Sequence, residues 1–256
     1  MPAPFARYVA LGDSISIDLY PGQDAARGGP AVPGLGAASL FHRNDDARWP
    51  EFRGRDLATM VPGIAFRNEH ALASPARYPS DNLTTDGATT GHVLRYQLPR
   101  LEPSRERTLV TLTAGGNDLL SMLSAPRRPK GLVESAAGRL LEILDRLADV
   151  LPDSLVLLGT IYDPSDGTND LGYGPLEEEA GWLRDLNARI REMAAAREHV
   201  RLADIHRHFL GHGLSAPERE RWYWSGLIVE PGLRGASEVR RLWLEAIEGT
   251  EGLAQR

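Results

Sequence analysis

The chain has 256 residues, of which 42% are hydrophobic and 25% charged, and it carries a formal net charge of −6 at pH 7. That balance excludes disorder, collagen-like repeats and coiled coil, and it leaves no basic field to gather the phosphates of a nucleic acid or to hold an anionic membrane. Cysteine is absent and Lys130, beside Pro129, is the single lysine, which sets aside a disulfide framework, a thiolate zinc site, a cysteine nucleophile and lysine-based chemistry.

In chain order, Tyr8 to Leu11 is a short apolar run closed by Gly12-Asp13-Ser14 and reads as a buried strand ending in a sharp turn. It is far too short for a signal-peptide core or a membrane span, so the expected location is cytoplasmic. Residues 21–37, with Pro21, Pro30 and Pro33 among many glycines, read as a surface loop. Trp49 to Met60 reads as a short helix with Pro50 near its first turn. Further strands are predicted at Ile64 to His70, Thr108 to Thr113, Leu155 to Ile161 and Val200 to Ala203, giving five in all. Helical patterns lie between and after them, at Asp86 to Leu101, Leu132 to Leu151, Glu177 to Arg197 and Ser237 to Ile247. Residues 162–175 form a long polar connection of the kind that is usually functional or mobile. The alternation predicts a parallel sheet with helices on both faces, a three-layer α/β/α sandwich forming one domain over residues 1–256. In that architecture every loop that follows a strand opens on the same rim.

Three of those loops carry residues suited to chemistry. Ser14, at the turn from the first strand, would raise its hydroxyl over the sheet edge, where unpaired helix amides favour negative charge. The plainer reading makes Ser14 a helix cap and Gly12 a tight turn. Thr85 to Gly91 follows the second strand, and its Gly87 can offer an amide with no side chain in the way; the plainer reading is a helix start capped by Asp86. Thr113-Ala114-Gly115-Gly116-Asn117-Asp118 follows the third strand. There Asn117 can aim a neutral amide at developing charge, while Asp118 is expected to tie the loop or cap the next helix.

Gly12-Asp13-Ser14, Gly87 and Gly115-Gly116-Asn117-Asp118, in that order after successive strands, resemble the first three sequence blocks of the SGNH/GDSL hydrolase superfamily. The resemblance implies a flavodoxin-like five-stranded parallel sheet and ester hydrolysis through a serine, with no metal and no cofactor. It makes Ser14 the nucleophile, and it places the oxyanion hole at the backbone amides of Ser14 and Gly87 and the side chain of Asn117. A sheet of order 2-1-3-4-5 would bring these loops together at its switch point, where ligands bind.

The family's last block is an aspartate, two residues, then a histidine followed by proline. Here Pro231 is kept, but Leu227 stands where the aspartate is expected and Glu230 where the histidine is. A serine needs a neighbouring group to take its proton, so a substitute base is required. Of the seven histidines, His70, His92 and His199 have structural explanations and His42 has no assigned place. His206, His208 and His212 follow the fifth strand on the rim, and His212, between Gly211 and Gly213, has the backbone freedom to reach a site. The leading reading has His212 take the proton while Glu230 orients its imidazole. A rival makes Glu230 the base, its pKa raised by burial near Trp222, Tyr223 and Trp224. The plain alternative leaves His212 a loop residue and pairs Glu230 with Arg234 or Arg240. Asp204 is a further possible carboxylate partner. His206 and His208 with Asp13 or Asp18 make no convincing metal site, and the aromatic run Trp222-Tyr223-Trp224 reads as a lid packed on the core.

The expected activity is therefore acyl transfer from a small carboxylic ester to Ser14 and then to water. The partner would be a small-molecule ester, with neither nucleic acid nor membrane involved. Two alternatives stand beside it: a carbohydrate O-acetyl esterase, and a ligand-binding relative that keeps the pocket without turnover.

Overall fold

The computed structural model of the protein describes residues 4–68, 80–123, 131–172, 174–248 and 250. Strand β1 (Arg7–Gly12) gives way to a 3-10 turn at Ser14–Ser16, then to helices α1 (Leu19–Ala26), α2 (Ala37–His42) and α3 (Leu57–Met60). Helix α4 (Thr90–His92) runs on through a π turn and a 3-10 turn to Arg100, followed by β2 (Thr108–Thr113), α5 (Gly116–Leu123), α6 (Leu132–Val150) and β3 (Ser154–Gly159). The remainder holds α7 (Glu177–Ala195), β4 (Val200–Ala203), α8 (Ile205–Phe209), the short strands β5 (Tyr223–Trp224) and β6 (Leu227–Pro231), and α9 (Leu233–Ile247).

Strands β1, β2, β3 and β4 lie side by side in that order, all parallel. β2 and β3 are buried at every position, as strands covered on both faces must be. On one face Phe5, Tyr8, Phe41 and Trp243 pack with α2 and α9; on the other Val9, Leu11, Leu140, Leu144 and Ile190 pack with α6 and α7. The leucine spacing read as a helix works as expected: α6 buries Leu140, Ile143, Leu144 and Leu147 along one stripe, each worth about 1.5–3 kcal/mol of apolar burial. This is the predicted α/β architecture with helices on both faces. The β1–β2 register sets Gly12 beside Thr113, so the turns after these strands open next to each other.

The fifth strand departs from expectation. Beyond β1, the edge is made by two isolated parallel bridges, Ala65 to Arg7 and Asn82 to Ala10, rather than by a continuous strand. Ala65 and Asp81–Leu83 share the backbone pairing of that edge: Tyr8 donates to Ala65, Ala10 donates to Asp81, and Leu83 donates back to Ala10. Two separate pieces of chain therefore do the work assigned to Ile64 to His70, whose last two residues lie outside the described ones, as does Lys130.

Residues 21–37 are not all loop, because α1 occupies Leu19–Ala26 with Pro21 in its first turn, where no amide hydrogen is needed. Gly22 lets the following chain close on the helix: a Cβ there would lie 2.4 Å from the Val32 carbonyl oxygen. The segment from Trp49 to Met60 is broken into a 3-10 turn at Pro50–Phe52 and α3, which Asp56 caps through the Thr59 amide. The antiparallel ribbon of β5 and β6 was not foreseen in the stretch that holds the altered last block. Among the described residues, no helix is long and apolar enough to cross a membrane.

Candidate active site

Ser14 opens a 3-10 turn at the end of β1. The Asp13 side chain caps that turn through the Ile15 amide, and the Asp13 amide donates to the Thr113 carbonyl at 3.0 Å, anchoring the turn to β2. Gly12 makes the approach possible: its φ is +123°, and a Cβ would fall 1.7 Å from the Thr113 oxygen. The Gln97 side chain grips the same peptide from the other side, its Oε1 accepting from the Gly12 amide at 2.8 Å and its Nε2 donating to the Gly12 carbonyl at 2.7 Å. Sequence reasoning missed Gln97, although a polar residue four positions after buried Val93 on the inner side of a helical segment was a usable signal.

The Gly87 loop is tied to the Asn117 loop by a charged knot. Buried Asp118 accepts from the Thr90 amide and hydroxyl, each at 2.7 Å, and from the Arg139 guanidinium at 2.9 Å. It therefore ties the loop. Asn117 Nδ2 donates to the Ala88 carbonyl at 3.2 Å, and a primary amide has a second hydrogen to offer a ligand. Gly87 itself is exposed with φ +69° and does not line the cavity described below; it stands beside Ala88 at the edge of the site. Asp118→Ala would leave a half-buried arginine and a helix start without their acceptor. It is expected to cost about 1–3 kcal/mol, measured by denaturant unfolding, because the buried Thr90 amide and hydroxyl lose their acceptor while water can reach the arginine.

Ser14, Asn117 and Glu230 line one cavity of about 120 Å³. The rest of its wall is largely apolar, with Ile15, Leu119, Leu120, Ile161, Leu183 and Val229 among the contributors. Part of the long connection at 162–175, including Tyr162 and Leu171, also forms wall. Ser14 is 5% exposed and Glu230 7%. The Ser14 hydroxyl and the Glu230 carboxyl face this cavity together, and Glu230 Oε2 is buried with no hydrogen-bond partner among the described residues. Burial pushes the Glu230 pKa up to about 8, with the neighbouring Asp13 and Asp86 carboxyls adding to the rise and the nearby Ser14 hydroxyl opposing it. Burial likewise raises Asp13 to about 7.

His212 is not brought to this cavity. Its ring stacks on Trp222 at 3.7 Å, and its Nδ1 lies 3.1 Å from the Glu220 carbonyl oxygen. The flanking glycines fix the loop instead of freeing the ring: a Cβ at Gly213 would lie 2.4 Å from the Pro164 oxygen, and Asp166 accepts from both the Gly211 and Gly213 amides. The arrangement with His212 against Ser14 and Glu230 behind it is therefore not the one the chain adopts. Nor does Glu230 form a solvated bridge, since Arg240 reaches Asn44 and Ser237 while Arg234 reaches the Arg219 carbonyl. Asp204 is held by Arg191 and Thr160, and His208 pairs with Glu238. Trp222 and Tyr223 are buried in the core, as a packed lid would be.

The sequence profile of the GDSL-like Lipase/Acylhydrolase family matches residues 10–223. The chain belongs to that family. The match takes in all three strand-end loops of this GDSL-like protein and stops short of Glu230, where the last block differs. No curated protein matches the sequence. Among solved structures, an extracellular lipase from Streptomyces rimosus is similar at 20% identity, covering 94% of this chain and 99% of that one with a TM-score of 0.57. Phospholipase A1 from Streptomyces albidoflavus NA297 is 22% identical over 96% of this chain and 99% of its own, with a TM-score of 0.55. A catalytic mutant of Axe2, an acetylxylan esterase from Geobacillus stearothermophilus, is 14% identical over 100% of this chain and 99% of its own, with a TM-score of 0.62. At these identities the likeness is one of fold.

Proposed function

We propose that this GDSL-like hydrolase cleaves carboxylic esters, with Ser14 as nucleophile and Glu230 as the group that takes its proton. The observation that carries the reading is a buried carboxyl with an unpartnered oxygen that shares one largely apolar cavity with Ser14 and Asn117. In the ionised form Glu230 accepts the hydroxyl proton as the oxygen bonds to the ester carbon. The tetrahedral oxyanion would be met by the Asn117 amide, with the Ser14 and Gly87 backbone amides as further donors. Glu230 then returns the proton to the departing alkoxide, and a water molecule repeats the sequence to release the acid. The apolar wall suits the acyl part of the ester, which favours a simple acyl ester over an acetylated carbohydrate.

A second reading draws on the same carboxyl. With a pKa near 8, Glu230 is mostly neutral at pH 7, so the serine is only weakly activated there, as in a binding protein that has lost turnover. Labelling by a fluorophosphonate separates the two. Ser14 is expected to be modified at a rate that rises through about pH 8, and acetyl, butyryl and longer esters to be hydrolysed with the same pH dependence. An inert Ser14 in a protein that still binds apolar esters would establish the binding role instead.

A further inference from the structure

Glu230 lies on β6, half of a two-stranded ribbon that shares no strand pairing with the main sheet. A ribbon of that size is marginal alone, so the position of its carboxyl depends on whatever holds the ribbon in place. Tyr162, just beyond β3 and 8% exposed, touches both of its strands. The Tyr162 hydroxyl donates to the Val229 carbonyl at 2.6 Å, on the residue before Glu230. Its ring stands edge-on to Tyr223 of β5 at 5.2 Å and is stacked on Phe209 at 5.3 Å. The same side chain lines the cavity that holds Ser14.

We infer that Tyr162 is a positioning residue, which fixes the Glu230 carboxyl against the Ser14 hydroxyl by tying the ribbon to the end of β3. The inference rests on the reading of Glu230 as the base of Ser14. Tyr162 bonds the backbone and not the carboxyl, so its influence on Glu230 passes through the strand. The ionisable groups that face Glu230 are Asp13 in the turn after β1, Asp86 in the Gly87 loop, Tyr20 of α1 and Tyr162 itself. All of them are acidic, and none supplies a cation. Keeping the carboxyl in place against these neighbours is therefore a task for the scaffold, and the Tyr162 bond is a direct hold on its own strand, made at the residue next to Glu230.

Tyr162→Phe keeps the ring and both aromatic contacts and removes only the hydrogen bond to Val229. Turnover of an ester at saturation is expected to fall about tenfold with KM changed less than twofold, the size of one lost hydrogen bond acting at the reacting group. The midpoint of the pH–rate curve should also move toward the ordinary carboxylate range, because a loosened ribbon admits water to Glu230. Carbon-13 NMR titration of the Glu230 carboxyl in the same variant should show that movement without reference to turnover. Tyr223→Phe removes a buried hydroxyl that has no partner, and it should leave the midpoint where it is. An unmoved carboxyl titration and wild-type turnover in Tyr162→Phe would overturn the assignment. Failure of the parent reading looks different: the unmodified protein would hydrolyse no ester, while the carboxyl titration would still report whether Tyr162 holds Glu230.

Discussion

Glu230→Gln is expected to lower ester turnover on the order of a thousandfold while leaving the fold intact, since the amide matches the carboxyl in size and cannot accept the serine proton. His212→Ala should change turnover by no more than a few-fold, since that ring is stacked on Trp222 and its Nδ1 faces a backbone carbonyl. Steady-state rates for the two variants therefore decide between the two candidate bases. The pH dependence follows from the same carboxyl. Its pKa is raised to about 8 by burial, and the proposed mechanism uses the ionised form as the base, so turnover should climb as pH rises through 8 and the residual rate of Glu230→Gln should lack that rise. Stability moves the other way. The folded state binds this proton more tightly than the unfolded chain does, so wild-type stability falls as pH rises from about 4.5 to about 8 and then levels off. Glu230→Gln escapes that loss, and thermal melts should find it the more stable protein above pH 8, with little difference below pH 4.5.

Gly12→Ala should be among the most damaging single changes in the chain. The added methyl group would meet the Thr113 carbonyl oxygen at 1.7 Å, in a backbone conformation that side chains rarely adopt. Relief requires β1 and β2 to part at the rim, which also breaks the paired bonds from Gln97. A cost above about 4 kcal/mol is expected, enough to lower the melting temperature by roughly 10 °C or more or to prevent folding, as circular dichroism would show. Gly87→Ala is a useful contrast. No atom lies within 4 Å of a Cβ there, so only the left-handed backbone opposes it, at about 1 kcal/mol.

The sheet was legible in the sequence because strands buried on both faces read as uninterrupted apolar runs, and the turn blocks followed from where those runs stop. Ser14 and Asn117 were found in that way, and the structure sets both on one cavity. The edge beside β1 was not legible: Ala65 and Asn82 each contribute one bridge, too little to leave an alternating pattern. Nor was α1, because glycine and proline content suggested loop while Pro21 sits where a helix tolerates it. That Glu230 stands where the resemblance leads one to expect a histidine was visible, but the consequence was not. Flanking glycines suggested mobility for His212, whereas Gly213 is there because the chain passes against Pro164. Tyr162 carried no signal at all, since an aromatic residue beyond a strand is ordinary core material until its hydroxyl is seen on Val229.

The ribbon of β5 and β6 divides the candidate site between two separately paired sheets. Ser14 and Asn117 belong to loops framed by the parallel strands, whereas Glu230 rides on a separate ribbon that Tyr162 ties to the end of β3. A substitution on that ribbon can change the group that faces Ser14 while the paired strands of the parallel sheet keep their register.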